Sequence, residues 1–287
     1  MNDILSSQYG LTFHPFSSDI PVEALTTGKQ LDSFLFRVMQ QLRDGGFIAV
    51  TGEPGTGKSA ALRIVASRLQ AIADTKVGII SRPQSNNADF YRELGHLFGV
   101  TLSPHNRWAG SKALREQWLA HIDKTRTRPV VIIDEAQEMK PAVLAELRLL
   151  SSLNLDARAL LTVVIAGDER LSARLNTPDM LPIQSRIRTH LQLGYAEPDH
   201  LYAALDKTLE HAGRADLITD DVKRALSTHA HGNLRAMMTM ADHLLSHVAQ
   251  HELARIDEQV FFDVFKQQLD ANTGQATKPA GSKRRRA

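Results

Sequence analysis

The sequence predicts an α/β protein: a parallel five-stranded sheet flanked by helices, followed by a small all-helical unit. Two observations carry this prediction. Up to about residue 195, short and continuously apolar runs alternate with helical stretches, which is typical of a parallel sheet covered on both faces. Beyond residue 195 the strand signals stop, and patterns with the helical period continue.

Four predicted strands, at residues 47–52, 77–80, 129–134 and 159–167, lack the apolar–polar alternation of strands that face water on one side. We therefore expect them in the interior of the first unit. A short fifth strand, at residues 189–195, is predicted to complete the sheet. Apolar residues at helical spacing predict the helices around them, at 30–42, 59–73, 87–100, 112–122 and 142–153.

The second unit is predicted to contain four helices, at residues 198–213, 219–230, 233–250 and 257–269. Gly213 ends the first of them, and Thr219 and Asp257 stand at N-cap positions of the second and the fourth. The boundaries that follow are a leader, an α/β core, a helical unit and a disordered basic tail, at residues 1–27, 28–195, 196–268 and 269–287.

The tail is rich in small and polar residues, which bury too little apolar area to order the chain. It contains four consecutive basic residues, Lys283 to Arg286. Two interpretations stay open: a solubilising tail, or an arm that contacts phosphate backbones.

Composition excludes several classes of site. The chain has no cysteine, which excludes disulfides, thiolate metal sites and cysteine nucleophiles. No apolar run approaches the roughly 18 residues of a membrane span, and the first residues do not resemble a secretory signal. We therefore expect a cytoplasmic protein without a membrane partner.

Residues 52–59, Gly-Glu-Pro-Gly-Thr-Gly-Lys-Ser, match the phosphate-loop pattern G-x-x-x-x-G-K-[ST] between a predicted strand and a predicted helix. The glycines let backbone amides turn toward phosphates, and the helix N-terminus adds partial positive charge. Lys58 is predicted to contact the β- and γ-phosphates of ATP, and Ser59 to hold Mg²⁺. The predicted nucleotide contacts are Gly52, Glu53, Pro54, Gly55, Thr56, Gly57, Lys58, Ser59 and Ala60.

The apolar run 129–133 leads into Asp134 and Glu135. A carboxylate at the tip of a buried strand has lost much of its hydration and needs a partner there. Mg²⁺ shared with Ser59 supplies one, so we assign Asp134 to the metal. Glu135 is predicted to orient and polarise a water molecule for attack on the γ-phosphate. The sequence therefore predicts an ATPase that forms ADP and phosphate.

Four stretches of the chain carry a resemblance to known proteins. They are "YGLTFHPF", "TGEPGTGKS", the segment from "VVIIDEAQEM" to "VVIAGDERL", and the segment beginning "QSRIRTHLQLGYAEPDHL". Together they resemble the AAA+ superfamily of P-loop NTPases, and within it they are similar to the ExeA-like branch, which includes transposon-encoded ATPases of the TniB, TnsC and MuB kind. The resemblance covers roughly residues 8–250 and implies ATP-dependent self-assembly into a ring or a helical filament.

The resemblance also implies individual roles. Asp168 falls at a polar sensor position at the tip of a strand, and a cap for the following helix is the alternative. Arg186 falls where the branch places an arginine finger, which reaches the neighbouring subunit's nucleotide, with Arg188 as the alternative. Arg235 falls at a second sensor on a lid helix. Residues 9–16 resemble an N-terminal box beside the adenine, or they belong to a core.

The partner is inferred from the resemblance as well. Secretion-associated members of the branch add a membrane span and a cell-wall-binding region, which this sequence does not show. The transposition arm is therefore favoured, in which an ATPase binds double-stranded DNA nonspecifically and hands target sites to a transposase. Arg107, Trp108 and Lys112 in a polar connection, with Lys140 as a weaker candidate, are the predicted DNA contacts. The alternatives are a secretion or protein-remodelling ATPase with a protein partner, and an ATP-binding scaffold with negligible turnover.

Overall fold

The computed structural model describes residues 8–102, 107–153 and 157–275. The chain divides into two compact units, Leu25–Tyr195 and a second unit that combines Met1–Ala24 with Ala196–Ala287. Each unit has a hydrophobic core of its own.

The first unit contains a five-stranded sheet. Its strands are β1 (Gly46–Gly52), β2 (Val77–Ile80), β3 (Val130–Ile133), β6 (Thr162–Gly167) and β7 (Ile187–Leu193). They pair in parallel in the order β2-β3-β6-β1-β7. The predicted parallel sheet is confirmed, and β3 and β6, which have neighbours on both sides, consist entirely of buried residues.

Helices surround this sheet. They are α1 (Lys29–Gln41), α2 (Lys58–Gln70), α3 (Asn87–Phe98), α4 (Arg107–Thr125), α5 (Pro141–Leu150), α6 (Glu169–Leu175) and α7 (Leu181–Gln184). The core lies largely between the sheet and the helices α3, α4 and α5, where Trp118, Phe90 and Leu144 are fully buried.

Helix α4 begins at Arg107, so the predicted polar connection before residue 112 is wrong in its second half. Leu114, Trp118 and Ile122 are buried at helical spacing and hold this helix against the core. The polar residues before Leu114 continue the same helix, although their polarity resembles that of a loop. Residues 103–106 of the predicted connection lie outside the described residues.

The predicted helix 142–153 and the predicted strand 159–167 also change at their facing ends. Helix α5 ends at Leu150, and β6 begins at Thr162. Between them, β4 (Ser152–Leu153) and β5 (Arg158–Ala159) form a short antiparallel pair. The last residues of the predicted helix and the first residues of the predicted strand thus pair their backbone N–H and C=O groups with each other, and neither set continues its predicted element.

The second unit contains the predicted helices as α8 (Pro198–His211), α9 (Asp220–His229), α10 (Leu234–Gln250) and α11 (Glu258–Gln275). Gly213 has a φ of +87° just after α8, and Asp257 accepts a 3.1 Å hydrogen bond from Val260 N as the N-cap of α11. Thr219 precedes α9, but its hydroxyl donates to Glu258 instead of capping the helix. None of the helices in the described ranges is long and apolar enough to cross a bilayer.

Helix α11 extends to Gln275, so the predicted start of the tail at residue 269 falls inside a helix. The basic run Lys283 to Arg286 lies outside the described residues.

The leader belongs to the core of this second unit. Tyr9, Leu11 and Phe16 are buried there, and the Tyr9 hydroxyl donates to the Leu253 carbonyl oxygen at 2.9 Å. His14 Nδ1 accepts from Phe16 N at 3.2 Å.

In the first unit, Gln41 joins α1 to the sheet through buried hydrogen bonds. Its amide nitrogen donates to the carbonyl oxygens of Gly45 and Phe47, at 3.4 and 3.1 Å. Its amide oxygen accepts from Thr189 Oγ1 at 2.8 Å. One side chain thus connects a helix with the start of β1 and with β7, and its polar atoms are satisfied without water.

We predict that Gln41→Ala lowers the free energy of unfolding of this unit by about 1–3 kcal/mol, because Phe47 and Thr189 each lose a buried hydrogen-bond partner. The matched control is Gln40→Ala on the exposed side of the same helix, for which we expect a change within about 0.5 kcal/mol. Both tryptophans lie in this unit, so urea unfolding followed by tryptophan fluorescence reports on it. Equal stability of the two variants would contradict the connecting role of Gln41.

Candidate nucleotide-binding site

The carboxyl ends of β1, β3 and β6 meet at one edge of the sheet, with β6 in the middle. The register pairs Val50 of β1 with Ala166, and Ile133 of β3 with Ile165. One residue further along, Asp134 therefore comes level with Ala166. The loop that follows β1 and the acids that follow β3 meet over the end of β6.

The phosphate loop connects β1 to α2. Gly55 and Gly57 have φ values of +85° and +97°, which L side chains rarely adopt, so glycine is required at these turns. Gly57 is the N-cap of α2 and provides no side-chain cap, so no such cap competes with a ligand for the first amides of the helix. Lys58 is 7% exposed, and its Nζ donates to the carbonyl oxygens of Gly52 and Glu53 at 2.9 and 3.0 Å.

Ser59 and Asp134 are in direct contact, because Ser59 Oγ donates to Asp134 Oδ2 at 2.8 Å. The other carboxylate oxygen of Asp134 accepts from Glu135 N at 2.9 Å. A hydroxyl and a carboxylate at this separation match the oxygen ligands that Mg²⁺ prefers in nucleotide sites, so the residues present fit the ion. Glu135 has a φ of +52°, an uncommon conformation for a residue with a side chain and one that is enriched at functional sites.

Two residues that the sequence did not single out hold Glu135. The amide nitrogen of Gln137 donates to Glu135 Oε2. Arg174 Nη1 donates to the carbonyl oxygens of Gln137 and Met139 at 3.0 and 2.5 Å, and burial lowers the pKa of Arg174. Gly167 makes room for this arrangement, since a Cβ there would collide with the Gln137 amide oxygen.

Asp168 caps helix α6, because its Oδ1 accepts from Arg170 N at 2.9 Å. The Arg170 guanidinium also contacts the Asp168 carboxylate and the Glu138 carboxylate, each at 2.9 Å. Hydrogen bonding from Arg170 lowers the pKa of Asp168, although partial burial opposes this effect. Asp168 is therefore an ionised carboxylate with an arginine partner at the tip of β6.

Glu53, inside the phosphate loop, lies beside Glu169. A hydrogen bond between the two carboxyl groups, followed by burial, raises the pKa of Glu53, while the charge of Lys58 opposes the shift.

Arg186 lies at the opposite edge of the sheet from the phosphate loop. It directly precedes Ile187, which pairs with Phe47 near the start of β1, whereas the loop begins at Gly52. Five strand residues separate these ends by about 17 Å, farther than an arginine side chain reaches. The Arg186 guanidinium donates to the carbonyl oxygen of Pro182, and Arg188 on β7 is exposed.

The other predicted residues are exposed at separate places. Arg235 lies in the first turn of α10 in the second unit, and Lys140 is the N-cap residue of α5. Trp108 is 76% exposed, so it does not anchor a loop to the core. Lys112 Nζ lies 5.8 Å from the Trp108 ring centroid and 3.8 Å from Glu116 Oε1, which makes an exposed aromatic and cationic pair in the first turns of α4.

The comparisons with known proteins agree with this geometry. Residues 40–175 match the family model described as an AAA domain, a range that includes the phosphate loop, both acids and four of the five strands of the sheet. The chain has the AAA+ fold. It is 32% identical over 190 residues to general secretion pathway protein A of Aeromonas hydrophila, across 64% of this chain. The match spans 34% of that protein, about a third of its length.

Solved structures with the same fold include proteins from an archaeon and an insect. The ORC2 protein of Aeropyrum pernix, in complexes with ADPNP and ADP, superposes with a TM-score of 0.69 at 15% identity, over 92% of this chain and 74% of that one. Drosophila ORC bound to DNA gives a TM-score of 0.65 at 15% identity, over 97% of this chain and 69% of that one.

We predict that Asp168→Ala lowers the free energy of unfolding of the first unit by about 1 kcal/mol, because α6 loses its N-cap. Asp168→Asn is the matched control, since asparagine caps helices about as well as aspartate. Urea unfolding by tryptophan fluorescence compares the two variants with the parent. If Asp168→Ala had the same free energy of unfolding as Asp168→Asn, the cap would not be a stabilising contact.

Proposed function

We propose that this chain is an ATPase whose subunits assemble with bound ATP and separate after hydrolysis. The observation that carries the proposal is the 2.8 Å contact between Ser59 and Asp134 over the end of β6. Lys58 and Glu135 are the chain neighbours of these two residues. An ammonium group, a hydroxyl and two carboxylates are the groups that binding and cleaving a nucleoside triphosphate require.

Each residue has one task in this proposal. Lys58 exchanges its carbonyl partners in the loop for the β- and γ-phosphate oxygens, and Ser59 and Asp134 hold Mg²⁺. When bound, Mg²⁺ neutralises the charge that develops on the phosphates. Glu135 orients the attacking water and polarises it, and Gln137 keeps the Glu135 carboxylate in place through its hydrogen bond.

We predict that Glu135→Gln retains ATP binding and lowers turnover by about 10²–10⁴-fold, because the amide cannot accept a proton. Fluorescent-nucleotide binding and phosphate release measure the two effects. Glu210→Gln, an exposed change of the same kind in the second unit, is the control. Unchanged phosphate release from Glu135→Gln would remove Glu135 from the mechanism. If the parent protein released no phosphate, with or without DNA, the alternative of an ATP-binding scaffold with negligible turnover would be supported.

Arg186 is proposed to act on a neighbouring subunit. Because it precedes β7 at the edge opposite the phosphate loop, it cannot complete the nucleotide site of its own unit. A permanently charged, planar donor suits the charge that spreads over phosphoryl oxygens in the transition state. ATP therefore favours contact between subunits, and loss of the γ-phosphate weakens that contact.

We predict that Arg186→Ala leaves ATP binding intact and lowers turnover by about 10³-fold, by analogy with arginine fingers in general. Mixing Arg186→Ala subunits with Glu135→Gln subunits should restore part of the activity, because one partner supplies the glutamate and the other the arginine. Arg188→Ala is the matched control, with activity near that of the parent. If Arg188→Ala abolished turnover and Arg186→Ala left it unchanged, Arg188 would have the role proposed for Arg186. If mixing Arg186→Ala subunits with Glu135→Gln subunits restored no activity, this would argue against action between subunits.

Double-stranded DNA is the proposed partner of the assembly, and regulation of transposition through a transposase is the proposed process. The exposed pair of Trp108 and Lys112 supports DNA contact, because aromatic rings stack on bases or sugars and lysine neutralises phosphates without reading sequence. Lys140 and Arg107 are further candidates. The shared fold of the Drosophila ORC structure bound to DNA is consistent with this partner.

We predict that Lys112→Gln weakens binding to random-sequence duplex DNA and reduces the slope of log K against log salt concentration by about 1, because one phosphate contact is lost. Lys266→Gln, at an exposed position of α11, is the matched control and should leave the slope unchanged. Fluorescence anisotropy with ATP over a salt series measures both. Absence of DNA binding even at low salt would exclude this partner.

A second candidate function is that of a secretion-associated ATPase that acts on a protein. The 32% identity to general secretion pathway protein A supports it. Deleting the gene distinguishes the candidates, since the first expects loss of transposition with secretion intact and the second expects the reverse.

A further inference from the structure

A pocket opens at the amino edge of the sheet, opposite the edge that carries the phosphate loop. Its volume is about 340 Å³, enough for a tetrahedral oxyanion with water around it. One side comes from the segment directly before β2 and the other from the last turns of α4. The residues that matter for its chemistry are Asp74, Thr75, Lys76, His121, Lys124 and Thr125.

Positive charge predominates in this pocket. Lys76 and Lys124 contribute two cationic groups, against the single carboxylate of Asp74. Within the described ranges, neither lysine forms an ion pair with a carboxylate. Both lysines are therefore available to an anion.

His121 lies partly buried among these groups. Burial lowers the pKa of His121, the charges of Lys76 and Lys124 lower it further, and Asp74 opposes the shift. The imidazole is thus neutral at pH 7, since the ordinary value of 6.5 already lies below that pH. Lys76, His121 and Lys124 line the same pocket.

Hydroxyl groups complete the lining. Thr125 Oγ1 donates to the backbone oxygen of His121 at 2.9 Å and lies 3.3 Å from His121 Nε2. Thr75 Oγ1 is buried and has no hydrogen-bond partner among the described residues.

We propose that this pocket binds a phosphate group through Lys76, Lys124 and His121. The shared chemistry is a tetrahedral oxyanion, supplied by free phosphate or by a phosphodiester of nucleic acid. The site is distinct from the nucleotide loop, because Lys76 directly precedes β2 and the loop follows the far end of the parallel strand β1.

Binding is coupled to protonation of His121. An anion favours the imidazolium form, so the pKa of His121 rises when the ligand binds and affinity increases as pH falls through the imidazole range. Sulfate separates this effect from titration of the ligand, because sulfate remains a dianion throughout.

The test follows the ring signals of His121 by NMR while sulfate, inorganic phosphate or a short random-sequence duplex is added, with NaCl at equal ionic strength as the reference. We expect sulfate and phosphate to shift these signals and to raise the pKa of His121. Lys76→Gln/Lys124→Gln should weaken the response by at least about tenfold, since two charge-assisted contacts are lost. Lys29→Gln/Lys266→Gln removes the same charge from exposed positions outside the pocket and should retain the response.

Each outcome decides the proposal. A response to the duplex alone supports a phosphate-group site whose source is nucleic acid, and a response to all three anions supports a general one. A response no larger than that to NaCl, or one equal in Lys76→Gln/Lys124→Gln, overturns the site. The experiment observes His121 and not ATP hydrolysis. Repeating it on Lys58→Ala therefore shows whether this pocket responds to anions when the proposed ATPase site is disabled, which separates failure of the one site from failure of the other.

Discussion

The site depends on the absence of a side chain at the end of β6. This strand lies between β1 and β3, so the segments that follow those two strands must meet over its last residue. That residue is Gly167, and a Cβ on it would lie 2.8 Å from Leu171 Cβ as well as against the amide of Gln137. A larger residue would move the segment that carries Glu135. The contact of Ser59 with Asp134 therefore follows from the register of three strands together with one glycine.

Local signals account for what could be predicted. The phosphate loop, the apolar strands and the acids at 134–135 are each encoded in a few consecutive residues, because loop conformation and strand burial depend mainly on the immediate sequence. Parallel topology then brings the predicted loop and acids to one edge. Local polarity was misleading before Leu114, where a helix continues through residues that resemble a loop, because burial on one side of α4 outweighs the composition of its exposed end.

Interactions between distant segments could not be predicted in the same way. Gln41 and Thr189 are 148 residues apart and meet because α1 lies against β7, and no short pattern announces such a pair. The hydrogen bond from Arg174 to the Gln137 carbonyl oxygen could not be predicted for the same reason. Nor could the pocket that is lined by residues 74–76 and 121–125. These contacts depend on tertiary packing, which brings polar residues of distant segments within contact distance of each other.

The two edges of the sheet differ in chemistry, and this difference constrains assembly. The carboxyl edge carries the loop and the acids, whereas Arg186 lies at the amino edge. A two-fold dimer uses the same surface of both subunits, so it would bring Arg186 to a partner's nucleotide only if that one surface included both edges of the sheet. If Arg186 completes a neighbour's site, the amino edge of one subunit must meet the carboxyl edge of the other, and a heterologous contact achieves this with two separate surfaces. Such a contact repeats from subunit to subunit and produces a ring when the rotation closes or a helical filament when it does not. The position of Arg186 relative to the loop thus favours a heterologous assembly for the proposed ATPase.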